Sequence, residues 1–216
     1  MRSIFFVGGG VDKKIIIISF LVSQESVYLC PMLSDHYNRF QLAAHLTRGL
    51  FLTDNNRSPW GRVWQVFSRF TWELPQTLVG WLYSVGRALA GQVDRVDTLG
   101  GITFATKLGC GYSMGVSLGT FVDLWAGPWM RGEGEVYILG NQICMHEFGH
   151  TADSQLFGWF YLPLIGLPSL LSALGKGDHN VFWTEIRANS HAKRYFSKYY
   201  SIAWKEEGYP TQTGLA

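Results

Sequence analysis

Residues 144–153 read "CMHEFGHTAD", and this stretch decides the fold that the sequence predicts. His146 and His150 are four residues apart, so on an α-helix they lie on the same face, about one turn from each other. Two imidazoles in this arrangement can bind one metal ion, with Glu147 beside that ion. Zinc prefers neutral nitrogen ligands and leaves a position open to water, whose proton a neighbouring carboxylate can accept. The pattern therefore predicts a Zn2+-binding helix, with Glu147 as general base.

Two histidines do not complete such a site, because a catalytic zinc has three protein ligands. The metzincin pattern fails, since six residues after His150 the chain has Leu156 where that pattern requires His. Asp153 lies on the same helix as the two histidines, and three successive ligands on one helix have poor geometry. A second helix, with Glu185 near its start and Asn189 one turn later, is the better source. The downstream candidates for the third ligand are Asp153, His179, Glu185 and His191.

The segments "HEFGH" and "TEIRAN" together resemble the gluzincin arrangement, in which His-Glu-x-x-His is followed by a helix that bears the third ligand. The resemblance covers two short motifs about thirty-five residues apart. It implies that Glu147 is the base and that Asn189 supports a ligand imidazole. The metal ligands that it implies are His146, His150 and Glu185.

A longer part of the chain, roughly residues 60 to 200, is similar to uncharacterised bacterial proteins with an "HEYGH…YL…G-x-P-S…H…W-x-E…A" pattern. The similarity runs from "HEFGHTADSQLFGWFYLPLIGLPSLLSA" through "HNVFWTEIRANSHAKRYF". Some of those proteins are C-terminal domains of Rhs-type repeat proteins. The resemblance implies a bacterial origin and a toxin or effector role.

The remaining histidines and Cys144 have simpler interpretations. His179, in the loop "GKGDHN", is predicted to stabilise a transition-state oxyanion near the metal. His191 is expected to point away from the site, towards the surface. His36 and His45 have no acidic or thiol cluster beside them, and we assign them no role. Cys144 lies on a helix face nearly opposite the first ligand and is predicted to be a buried thiol.

The composition argues against a nucleic-acid partner. The chain has 18 basic and 16 acidic residues without a long basic run, whereas phosphate binding requires clustered Lys and Arg. Its three cysteines are too widely spaced to predict a disulfide framework or a cysteine zinc site. The length of 216 residues fits one domain, which we place at 34–216 after an N-terminal segment 1–33. Within that segment "KKIIIISFLV" fits a buried strand or a signal peptide, so the localisation stays open.

Elsewhere the sequence predicts an α+β fold, helix-rich and zincin-like, with a small antiparallel sheet before the motif helix. Helices are predicted from Ser34, from Pro59 and from Pro75, and the motif helix from near Asn141 to Phe157. The segments "ITFATKLG", "GYSMGVSLGTFVDL" and "EVYIL" predict a meander whose last strand is 135–139. Apolar residues recur at helical spacing after Pro59, at Val63, Val66, Phe67 and Phe70. After Pro75 they form one stripe that is expected to pack against a partner; its members are Leu78, Trp81, Leu82, Val85 and Leu89.

The stretch 157–174, "FGWFYLPLIGLPSLLSAL", contains eighteen residues without a charge. Its length approaches that of a membrane span, but two prolines and two glycines interrupt it. We expect a buried loop and short helix, with a peripheral or re-entrant membrane contact as the alternative.

Together these features predict a zinc-dependent metallopeptidase that acts on a peptide or protein substrate. The main alternative is a domain without catalytic activity that binds a membrane or partner through its apolar surface, with a structural metal or none. An intramembrane protease is disfavoured, because Asp153, Ser154 and Gln155 extend a polar face on the motif helix.

Overall fold

Seven α-helices and a four-stranded sheet form the part of the chain that the structure, a computed structural model, describes, which is residues 38–213. The predicted α+β class is confirmed. The predictions for residues 1–37, including the signal-or-strand alternative, lie outside the described residues. The helices are α1 (Arg39–Gly49), α2 (Pro59–Arg69), α3 (Leu74–Leu89), α4 (Gly134–Gly140), α5 (Gln142–Phe157), α6 (Leu167–Leu174) and α7 (Trp183–Tyr200). The strands are β1 (Arg95–Leu99), β2 (Ile102–Lys107), β3 (Met114–Leu118) and β4 (Phe121–Trp125).

The helix starts follow local capping chemistry. Asn38 caps α1 and forms a capping box with Gln41, while the predicted helix start at Ser34 lies outside the described residues. Ser58 caps α2 by accepting a hydrogen bond from the backbone of Gly61, and Pro59 follows as its first residue, as predicted. The motif helix α5 follows Asn141 and ends at Gly158, whose φ of 52° ends the helix.

The sheet is mixed, and the predicted antiparallel meander is wrong. Strands β1 and β2 form one antiparallel hairpin and β3 and β4 another, but β2 and β4 pair in parallel, which gives the order β1-β2-β4-β3. The inner strands are β2 and β4, and β4 is buried on both faces, with Val122 and Leu124 on one side and Asp123 on the other. Strand β3 is therefore an edge of the sheet.

Residues 135–139 form the helix α4, so the predicted last strand is also wrong. The helix buries Tyr137 and Ile138 in the core. The backbone N–H of Gly134 donates to Asp97 at 3.0 Å, and the Arg95 guanidinium lies 3.9 Å from the centre of the Tyr137 ring. These contacts with β1 override the β propensity of the sequence "EVYIL".

The sheet lies between two layers of helices. On one face Ala105 and Phe121 pack against α1 and α3. On the other face Phe104 and Leu124 pack against α5 and α7, where Cys144 is fully buried, as predicted. The motif helix is thus fixed directly on the sheet.

Helices α2 and α3 bury polar side chains, and most of the apolar residues that recur at helical spacing in them are exposed. Trp81 and Val85 pack against the core, but Phe67, Phe70, Leu78, Leu82 and Leu89 are exposed. The inward side of each helix bears polar groups with fixed partners, because buried polar groups need hydrogen bonds. Those inward residues are Gln65, Ser68, Arg69, Gln76, Thr77, Ser84 and Arg87.

The segment 158–174 is mostly exposed, so the expectation of a buried loop is wrong. It forms a 3-10 turn (Gly158–Phe160), a π turn (Leu162–Gly166) and α6, and none of the residues of α6 is buried. Tyr161 and Ile165 are the side chains that point inwards. Within residues 38–213, no helix has the length and apolar character that crossing a membrane requires.

Candidate metal centre

The motif helix α5 and the final long helix α7 approach closely at the glycine of "HEFGH". A Cβ atom on Gly149 would lie 2.0 Å from the carbonyl oxygen of Ala188, a distance that no real Cβ atom shows. Small residues on both helices therefore permit the contact. Because Glu185 lies one turn before Ala188, the close approach carries its carboxylate over the two motif histidines.

Three side chains converge at this crossing. Oε2 of Glu185 lies 3.1 Å from Nε2 of His150 and 3.2 Å from Nε2 of His146. All three ligand atoms lie within 4.8 Å of one another, and residues 38–213 contain one such group. Zinc at about 2.0–2.1 Å from tetrahedral ligands separates those ligands by about 3.3 Å, so the spacing fits an ion of that size.

The second carboxylate oxygen of Glu185 is held by hydroxyl groups. Oε1 accepts hydrogen bonds from Ser169 at 2.7 Å and from Thr184 at 2.9 Å. Since Oε1 is occupied in this way, Oε2 is the oxygen presented to the imidazoles. Ser169 belongs to α6, so that helix contributes directly to the centre.

Asn189 fixes the orientation of His146. Its side-chain oxygen lies 2.7 Å from Nδ1 of His146, and its amide nitrogen donates to the carbonyl of Pro210 at 2.9 Å. An amide oxygen can only accept, so Nδ1 carries the proton and Nε2 keeps a lone pair for a metal. Asn189 thus lies beside a motif imidazole, where the resemblance to gluzincins implies it.

The side chain of Glu147 extends from α5 to the edge strand β3. The hydroxyl of Ser117 lies 2.6 Å from its Oε2, and the side chain is largely buried. A Cβ atom on Gly115 would lie 2.5 Å from Glu147, so that glycine leaves the carboxylate its space. The strand therefore positions Glu147 beside the histidines without adding a second charge.

When no metal is bound, the electrostatics of the centre favour an ion pair between protonated His150 and ionised Glu185. Burial alone would lower the pKa of His150, but the Glu185 carboxylate raises it to about 9. Burial would raise the pKa of Glu185, yet the imidazoles of His150 and His146 hold it well below its usual range. A metal ion must therefore displace a proton from His150 at neutral pH.

The structure places two of the other three candidate ligands, Asp153 and His191, elsewhere. Asp153 is fully buried and lies 2.7 Å from the Arg187 guanidinium and 3.2 Å from Nε2 of His191. Burial would raise the pKa of Asp153, but these two hydrogen bonds lower it overall. His191 points away from the centre, as predicted, and its partly exposed ring also contacts Asp153 and so links α7 to α5.

His179 lies at the margin of the centre. Its Nε2 is 3.7 Å from Oε2 of Glu185, and its Nδ1 is 3.2 Å from the hydroxyl of Ser172. Burial lowers the pKa of His179 more than the Glu185 carboxylate raises it, so the ring is neutral at pH 7. A neutral imidazole at this place can still donate one N–H to a negative oxygen.

Sequence reasoning missed the hydroxyl groups and one aromatic ring around the centre. Ser117 and Ser169 are separated from their carboxylate partners by 30 and 16 residues, and no spacing rule connects them. Tyr209 lies with its ring centre 5.5 Å from that of His146, and burial raises its pKa to about 12. Its phenol is therefore protonated at neutral pH and can act as a donor.

Comparisons of the chain with protein-family models, with curated proteins and with solved structures gave no significant match.

Proposed function

We propose that the chain is a zinc-dependent metallohydrolase that cleaves peptide bonds. The observation that carries the proposal is the convergence of His146, His150 and Glu185 within 4.8 Å, where both histidines lie on the helix that also bears Glu147 and Glu185 comes from α7. Histidine nitrogen and carboxylate oxygen are the donors of a catalytic zinc site with three protein ligands. Zinc held there would supply Lewis-acid chemistry, lowering the pKa of water and polarising a carbonyl group.

The residues of the chain supply the proton transfers. Glu147 is the proposed base, which accepts a proton from the attacking water and delivers it to the leaving amine. Ser117 keeps that carboxylate oriented through its hydroxyl, 2.6 Å away. His179, predicted from the sequence for this role, and Tyr209 are the two donors proposed to stabilise the oxyanion of the transition state.

The position of β3 supports a peptide as the substrate class. The strand is at the edge of the sheet and runs past Glu147, with Gly115 and Ser117 facing that residue. An edge strand offers backbone groups with which an extended peptide can pair. Such pairing would lay the peptide along the proposed base.

The first test is the zinc content of the purified protein, measured by mass spectrometry for the wild type and for His150→Ala and Glu185→Ala. We expect about one zinc ion per chain in the wild type and its loss from both variants. His45→Ala, on α1, is the matched control and should keep the metal. Zinc retained by Glu185→Ala would contradict the proposed ligand set.

The second test separates catalysis from metal binding. Glu147→Gln should retain zinc and lose at least about a hundredfold in the rate of hydrolysis of a peptide library, because only the proton acceptor is removed. A binding domain with a structural metal is the second candidate, favoured by the exposed apolar helices α2 and α3. Wild-type protein that binds zinc but cleaves no peptide in the library would favour that candidate.

A further inference from the structure

The outer surfaces of two separate segments form an uncharged layer. Among the exposed residues of segments 59–90 and 156–174, Thr71 alone bears a hydroxyl, amide or charged group. We call these exposed residues the outward face. Its most exposed members include Trp60 at 82 % and Trp159 and Leu171 at 57 % each. Such a continuous apolar surface marks a binding site.

The two segments lie side by side, so the outward face is one surface. The indole N–H of Trp159 donates to the carbonyl of Thr71 at 2.8 Å, and that of Trp72 donates to the carbonyl of Gln155 at 3.1 Å. The side chain of Gln76 donates to the carbonyl of Gly158 at 2.8 Å. These bonds fasten the chain after α5 to the junction between α2 and α3.

The charges of the same segments are directed away from the outward face. Arg69 donates to four backbone carbonyls inside the protein, and Glu73 lies beneath the helices beside Ser68 and Ser154. Arg87 forms a buried pair with Asp123 at 2.6 Å. Helices with buried charges and exposed aromatic residues have the polarity expected against an apolar medium.

Along residues 38–93, which include the first segment, the charged side chains that reach solvent are all basic. Between residues 38 and 93 both acidic residues, Asp54 and Glu73, are buried. The basic residues of that range that reach solvent are Arg39, Arg48, Arg57 and Arg62. After the other segment, Lys176 and Asp178 are both exposed, so that end adds no net charge. The cationic margin beside this aromatic and aliphatic surface is complementary to anionic phospholipid headgroups above an acyl layer.

We infer that the outward face docks on the surface of an anionic phospholipid bilayer. Tryptophan is suited to this position because its ring is apolar while its N–H can bond at the headgroup level. The arginine margin contacts the phosphates while leucine and phenylalanine side chains enter the acyl boundary. The inference is independent of the proposed hydrolysis, because neither the metal ligands nor Glu147 belong to the outward face.

The test is flotation of the purified full chain with vesicles of phosphatidylcholine and phosphatidylglycerol, compared with vesicles of phosphatidylcholine alone. We expect preferential binding to the anionic vesicles. Phe67→Asp and Leu171→Asp should each weaken the partition about tenfold or more, because each places a charge where an apolar side chain entered lipid. Val136→Asp changes an apolar residue on α4 that is even more exposed, and it should leave binding unchanged.

Arg48→Glu tests the cationic margin separately. It should weaken binding to the anionic vesicles about fivefold or more and leave binding to neutral vesicles unchanged. Quenching of wild-type tryptophan fluorescence by brominated lipids gives the same answer without any substitution. Docking predicts quenching, and its absence would overturn the inference.

Two other results would also overturn it. Folded wild-type protein that ignores vesicles but forms dimers, which Phe67→Asp disperses in size-exclusion chromatography, would assign the outward face to a second copy of the chain. Equal weakening by Phe67→Asp and Val136→Asp would show adsorption that does not use this face.

Discussion

At the scale of single residues, the candidate centre depends on the groups that hold the ligands. Asn189 sets the tautomer of His146, and Ser169 and Thr184 occupy one oxygen of Glu185. Partners of this kind orient metal ligands and raise their affinity. Their removal should therefore be visible in metal binding before it is visible in the fold.

We predict that Asn189→Ala weakens zinc binding about 10- to 100-fold, because Nδ1 of His146 loses its acceptor. Competition with a chromophoric chelator measures the change. Ser190→Ala, one residue further along α7, removes a hydroxyl that bonds to backbone carbonyls and should leave zinc affinity unchanged. Equal affinities of Asn189→Ala and wild type would show that the hydrogen bond does not support a ligand.

Zinc affinity should rise with pH through the titration of His150. Only the neutral imidazole binds metal, and the Glu185 carboxylate, acting against burial, raises the pKa of His150 to about 9 in the metal-free protein. Its contribution to zinc affinity therefore increases about tenfold per pH unit up to about pH 9 and then levels off. Chelator-buffered titrations between pH 6 and 10 test this, and a plateau from pH 6.5 onwards would contradict the raised pKa.

At the scale of helices and strands, the contact between α5 and α7 is the element that assembles the centre. Gly149→Ala should lower the free energy of unfolding by about 1–3 kcal/mol, because its Cβ atom has no room beside Ala188. Urea unfolding measures the loss, and the zinc affinity should fall with it as Glu185 moves away.

Gly86→Ala is the control for that substitution. Gly86 also lies within a helix, but a Cβ atom there meets nothing within 4 Å. The substitution should therefore raise the free energy of unfolding by about 0.5–1 kcal/mol. A Gly149→Ala variant as stable as the wild type would show that the helices can separate without cost.

The sequence predicted elements whose signals are local and missed those decided by distant contacts. The cap at Ser58 and the extent of the motif helix were predicted correctly, since capping and helical spacing are read within a few residues. The β propensity of residues 135–139 predicts a strand. The helix that they form is stabilised by Arg95 and Asp97, which are distant in the sequence and therefore do not enter a local prediction. The parallel pairing of β2 with β4 was likewise invisible to strand propensity.

The orientation of α2 and α3 shows a further limit of helical periodicity. The spacing predicted both helices but gave no information on which residues face the core. The inward side was decided by partners such as Asp123, which holds Ser84 and Arg87, and the carbonyls that hold Arg69. The metal ligands were easier to find, because two of them share one turn of a helix and the third follows in a second motif.

At the scale of the whole molecule, a metal bound at α5 and α7 should stabilise the described fold. Its ligands come from two helices that are joined by residues 158–182. At free zinc about a thousandfold above the dissociation constant, the stabilisation is about 4 kcal/mol.

Chelation should accordingly lower the Tm by about 8–16 °C for a chain of this length. Differential scanning fluorimetry with and without chelator tests this result. His150→Ala is the control, since its Tm should not respond to the chelator. A wild-type Tm that is equally insensitive would show that the folded chain holds no metal through these helices.

The hydrogen bond from Ser169 to Glu185 joins the outward face to the metal ligands. Ser169 lies on α6, within the segment that we infer to contact lipid, while Glu185 lies beneath it at the crossing of the long helices. A lipid surface that binds the outward face and shifts α6 would therefore alter this hydrogen bond, and with it the free energy of metal binding at Glu185. Coupling free energies are reciprocal, so a bound ion would alter the affinity of the outward face by the same factor. Metal binding at Glu185 would in this way change how strongly the outward face binds its partner, with the Ser169 hydroxyl as the link between the two.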